Sequence, residues 1–233
     1  MFQTVRHWWG SGRGKMTARL FLFEFVVVVA GVLVAQGLAN WVQDRADRDH
    51  MRDERARARQ ELSQFGYSAL AWKAAAPCLA ERVATIMSGQ VRAGKDLQRP
   101  SLTTLNYTPP DEHSLLLIGK TYGAEERDLY KMLASDLGNM KARGASLIAA
   151  WSRFALLDPA NGPIGPSDFV QVRIAGADIL GTIHGETLIA DNVLQRVRTL
   201  GIEPRSADPA YAPARTCDSI WRSGRIEPPI ERR

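Results

Sequence analysis

Two cysteines, one histidine–acid pair and one carboxylate inside an apolar run are the residues of this chain whose types could do chemistry. Cys78 and Cys217 are the only cysteines in 233 residues. An even pair forms a disulfide in an oxidising compartment and stays as buried thiols in a reducing one. No histidine stands near either cysteine in sequence, so a local nucleophile–base pair is absent. His184-Gly185-Glu186 matches the first half of a zinc-deaminase signature, but the second half needs two closely spaced cysteines and only Cys217 follows. His7, His50 and His113 are scattered, with no metal-ligand spacing. Gly10 to Thr17 is glycine-rich and basic, yet Trp9 stands where a phosphate loop needs its first glycine and Met16 follows Lys15. No catalytic residue, cofactor fingerprint or metal site is therefore expected. Acids such as Glu186 and Asp191 could still meet His184 between helices, which would make a tethered enzyme or small-ligand binder.

Glu24 makes a different claim. A carboxylate in an apolar helix must be paired, hydrated or neutral. On a helical wheel Glu24 shares a side with Gly31, Ala35 and Ala39, a small-residue stripe of the kind that lets transmembrane helices approach closely. It sits four residues from the start of the run, so snorkelling towards the headgroups near Arg19 is the competing arrangement.

The segment that holds Glu24 sets the architecture. Leu20 to Val42 is apolar, and no charge interrupts Phe25 to Gln43. As a helix it measures about 34 Å, enough for a hydrocarbon core of about 30 Å. It is too long for a signal-peptide core of roughly 7–15 residues, so an uncleaved single-pass anchor is expected. Trp41, beside Gln36 and Asn40, suits the membrane interface.

The net charge of +5 resembles a nucleic-acid signal until it is located. Arg6, Arg13, Lys15 and Arg19 lie before the anchor with no acid among residues 1–19, whereas six arginines between 43 and 61 are matched by six acids. A nucleic-acid partner is thus not expected, and the basic tail suits anionic headgroups. Flanking cations leave the orientation balanced, and a start at Met16 would favour a cytoplasmic domain. The cysteine pair tips the expectation to a domain outside the inner membrane with a 78–217 bridge.

Beyond the anchor the sequence predicts an all-α protein: a basic tail (1–19), a transmembrane helix (20–42), a solvated charged helical stalk (43–61), and a bundle of about four helices with an irregular C-terminal tail (62–233). Leu62, Phe65, Ala69, Trp72 and Ala76 mark one helical face, which Pro77 should kink or restart before Leu79, Val83 and Ile86 resume it. A short helix follows around 111–120, a break at Tyr122-Gly123, and a strong helix carrying Leu129 to Phe154. Ser167 and Asp168 offer a cap to a last helix that reaches about Leu200, with Gly201 at its C′ position. That helix is apolar on two sides, Val170, Ile174 and Leu188 on one and Val172, Ile179, Ile183 and Val197 on the other, so it is expected to be enclosed. Cys217 and Trp221 are the expected docking points of the tail.

The anchor also carries a resemblance. Glu24, Gly31, Ala35, Asn40 and Trp41 are spaced like the N-terminal anchor of a group of uncharacterised bacterial single-pass membrane proteins, over about 20 residues. The resemblance implies a bacterial membrane protein and supplies no catalytic residue. The resulting expectation is a non-enzymatic, membrane-anchored interaction, scaffold or sensory-type protein. Its partners would be the lipid bilayer and a second copy or another membrane protein.

Overall fold

A computed structural model describes residues 12–90, 94–99, 107–206 and 217. Among them no strand occurs, and the chain is all-α: α1 (Gly12–Met87), a single turn α2 (Gly94–Leu97), α3 (Glu112–Tyr122), α4 (Ala124–Trp151), two 3₁₀ turns (Ser152–Leu157 and Pro159–Asn161) and α5 (Pro166–Thr199). The chain divides into two compact units, Met1–Arg52 and Asp53–Arg233.

In the first unit α1 begins at Gly12, so residues 12–19, read as tail, are helical and form no phosphate loop. Phe21 to Val42 are exposed along the helix, a length and composition that qualify it as a candidate membrane span. Beyond it the helix surface turns ionic. Gln43 Nε2 donates to Asp47 at 3.1 Å, Arg48 Nε donates to the Asp44 carbonyl at 2.9 Å, and the Arg45 guanidinium lies 5.9 Å from the Trp41 ring centre.

The second unit is a bundle whose long members are α1 from residue 53, α4 and α5. Its core follows from helical periodicity: Leu62, Phe65, Ala69, Leu79, Val83 and Ile86 on α1, Leu133, Leu137 and Leu147 on α4, and Val172, Ile179, Val193 and Val197 on α5 are all buried. Neighbours across the helices fix direction. Lys73 pairs with Asp191, and farther along α1 the Met87 thioether lies over Gly176, so α1 and α5 are antiparallel. Arg143 lies over Gly185 and Arg153 pairs with Asp178 at 3.8 Å, so α4 and α5 are antiparallel too. α1 and α4 are therefore parallel, which requires the long crossover through α2 and α3.

Several local expectations change. Pro77 lies inside α1 instead of restarting it. Pro77 and Lys73 are both exposed, so the ring projects to solvent and water can satisfy the Lys73 carbonyl that lacks a partner amide. The compact unit starts at residue 53, so 53–61 join the bundle instead of a solvated stalk: Ala58 is fully buried and Arg55 pairs with Glu126. α5 starts one residue before Ser167, with Gly165 as its cap and Asp168 Oδ2 accepting the Gly165 amide at 2.8 Å. Its second apolar side is not enclosed, since Val170, Ile174 and Leu188 are each about half exposed. Gly201 takes φ +64° after α5, donating to the Arg198 carbonyl while Ile202 donates to Val197, a Schellman closure.

Candidate functional site

Cys78 and Cys217 are joined by a disulfide, with Cα atoms 5.3 Å apart. Cys78 is buried on α1, so the bridge ties residue 217 to the core helix across a separation of 139 residues. Neither sulfur is free to act as a nucleophile in this state. The chain leading there is docked as well: the Arg205 amide donates to the Ser63 carbonyl at 3.1 Å, and Ser63 Oγ donates to Glu203. Trp221, the other expected docking point, lies outside the described residues.

The Glu24, Gly31, Ala35 and Ala39 side of α1 is exposed throughout, and a Cβ added at Gly31 would meet nothing within 4 Å. These residues share a helical face.

The possible meeting of His184, Glu186 and Asp191 does not form. His184 and Asp191 are exposed, and Asp191 is bound to Lys73 at 2.5 Å. Glu186 points the other way and is 3% exposed. Burial pushes its carboxyl up to about 7, opposed only by the charge of Arg143 on α4. Glu186 occupies the same stripe as Ile183, Ala190 and Val193, a spacing that marks it as interior without recourse to the His-x-Glu motif.

Long-range ion pairs join the helices among the described residues, and two of them involve well-buried carboxylates. Asp136 is buried on α4 and pairs with Arg196 of α5. Arg55 forms a two-pronged bond to Glu126, 2.7 Å from Nε to Oε1 and 3.1 Å from Nη2 to Oε2, and stacks 3.8 Å from the Tyr122 ring centre. Bonding to Glu126 raises the Arg55 pKa against the opposing effect of burial. Asp136 lies within the Leu133–Leu137–Met140 stripe, a signal that it is enclosed, although its partner 60 residues away is invisible to local pattern.

Among the described residues, cavities flank these helices. One, about 430 Å³, is lined by Lys73, Asp191, Gln195 and Arg198, and its opposite charges are already joined by the Lys73–Asp191 pair. Another, about 530 Å³, lies where α2 meets the end of α4 and the 3₁₀ turn after it; Leu97, Arg99, Ile148, Trp151, Ala155 and Asp158 are among its lining. Trp151 is fixed there by its Nε1–H, which donates to the Leu97 carbonyl at 2.8 Å. Its ring packs edge-on against Phe154. Among the described residues no group of three or more His, Cys, Asp or Glu side chains is gathered as a metal site.

No protein-family model matches this chain, and neither the curated proteins nor the solved structures hold a match.

Proposed function

We propose that the chain is a single-pass membrane protein of a bacterial inner membrane, whose helical domain acts as an interaction, scaffold or sensory-type module on the periplasmic side. One observation carries the reading: the exposed apolar length from Phe21 to Val42 belongs to the same helix that, from Ala58 to Ile86, supplies core to the bundle. An outward-facing apolar surface of that extent needs lipid around it. The disulfide supports a compartment where cystines persist, and the matched charges of 43–61 give no surface for nucleic acid. Half-exposed Val170, Ile174 and Leu188 on α5 offer apolar purchase for a protein partner. The lipid bilayer, and a second copy or a membrane protein, are the proposed partners.

The small-residue side of the anchor supplies the test of partnering. Replacing Gly31 and Ala35 with leucine should reduce in-membrane crosslinking severalfold while insertion stays normal, because bulk on that side prevents close backbone approach. Glu24→Gln should be tolerated better than Glu24→Leu, since the amide keeps its hydrogen bonds. Crosslinking that ignores Gly31 and Ala35 would leave the segment a plain anchor.

A second reading, a small-ligand binder, is favoured by the cavity beside Trp151, whose volume falls in the range of ligand sites.

A further inference from the structure

The cavity beside Trp151 has a lining with a definite chemical preference. Arg99 contributes a half-buried guanidinium, and among the described residues no carboxylate pairs with it. Burial lowers its pKa from the ordinary arginine value. The acid that lines the same cavity, Asp158, is engaged elsewhere: its Oδ1 accepts the Ala160 amide at 3.0 Å and caps the second 3₁₀ turn. Of the remaining lining, Gln98 and Ser152 are polar and the rest is apolar. Leu97, Trp151 and Ala155 contribute apolar surface, and Ile148 is half exposed. A half-buried arginine with no ion-pair partner among the described residues, sharing a space of about 530 Å³ with apolar side chains, is an arrangement that an amphipathic anion completes.

We propose that this cavity binds a small organic monocarboxylate with an apolar or aromatic body, its carboxylate on Arg99 and its body against Trp151, Ile148 and Leu97. The planar fork of arginine fits a carboxylate with two parallel hydrogen bonds. Asp158 selects against dianions, because each further negative charge in the cavity meets its carboxylate. An inorganic phosphate gains from Arg99 but leaves the apolar wall uncovered. The inference sharpens the ligand-binder reading and is independent of the anchor.

The experiment is calorimetric titration of the detergent-solubilised full chain with phenylacetate, benzyl alcohol and inorganic phosphate. Ligand-efficiency bounds place even a modest fit for a molecule of this size in the low-millimolar range, within reach of the measurement. Phenylacetate should bind saturably, benzyl alcohol about tenfold more weakly or worse, and phosphate not measurably, since a charge-assisted hydrogen bond supplies a factor of that order. Arg99→Gln should weaken phenylacetate by about tenfold or more, with Arg99→Lys intermediate. Ile148→Glu, at a half-exposed position that leaves the core intact, should abolish binding by repulsion while the thermal melt is unchanged. Equal binding of benzyl alcohol and phenylacetate, or indifference to Arg99→Gln, would overturn the carboxylate assignment and keep the binder reading. Failure of both organic probes to bind would remove both.

Discussion

α1 is built on two opposite plans. Between Phe21 and Val42 its apolar side chains face outward on every side, and valines dominate. From residue 58 onward its apolar side chains fall on the side turned to α4 and α5, with arginines, Glu61 and Lys73 on the remainder. Lipid accepts a helix that is apolar all round, whereas water demands that the apolar face find a partner. The two plans predict opposite responses to the same substitution: a buried methylene matters in the bundle and is immaterial in the anchor, while a charge is nearly free on the bundle surface and costly in the anchor.

The largest effect should come from the bundle's covalent tie. Cys78→Ser opens a loop of 139 residues and should destabilise the bundle by a few kcal/mol, up to about 5, with no effect on membrane retention. Chemical denaturation compared with membrane pelleting separates the two readouts. The converse probe is Val32→Arg at the middle of the anchor, which should cost about 3 kcal/mol of insertion and release protein from the membrane while the bundle melt is unchanged.

Glu186 sharpens the contrast through pH. Its folded carboxyl is raised from 4.5 to about 7, so the folded bundle holds a proton that the unfolded chain releases. Stability is therefore highest below about 4.5 as far as this group is concerned and falls as pH rises through about 7, by an amount of order 3 kcal/mol at most. Glu186→Gln should flatten that part of the pH–stability curve, measured by urea titration at intervals across the window. A curve that keeps its slope in the variant would assign the dependence to another group.

The elements most legible in the sequence were those fixed by neighbours along the chain. Gly123 at φ +106° and Gly201 at φ +64° stand where only a residue without Cβ closes a helix comfortably, and Asp111 caps α3 by accepting the Ser114 amide at 2.7 Å. Sequence could not show that α1 passes through Pro77, because that depends on the ring facing solvent, a property of how α1 lies in the bundle. Nor could it place Arg55 on Glu126 or Asp136 on Arg196, whose partners lie 71 and 60 residues away. The half-exposed side of α5 departs from the expected enclosure for a related reason: helical periodicity identifies an apolar stripe without stating whether anything covers it. In the candidate site, Trp151 and Ile148 fall within the stretch whose periodicity marks a strong helix, whereas no local pattern singles out Arg99 or Asp158.

The smallest effect is the most local. Asp111→Ala should cost the bundle about 1 kcal/mol through loss of one capping bond and leave the anchor untouched, read as a small shift in the denaturation midpoint.

We propose that one helix holds the chain in a membrane with the bundle outside the cytoplasm. Protease treatment of intact spheroplasts, with the chain detected through an epitope fused after residue 233 and the membranes washed in alkaline carbonate, tests it directly. With the bundle outside, the epitope should be digested without lysis while an untreated sample remains in the washed membrane pellet. An epitope protected until lysis would place the bundle in the cytoplasm, and a chain extracted into the carbonate supernatant would contradict the anchor itself.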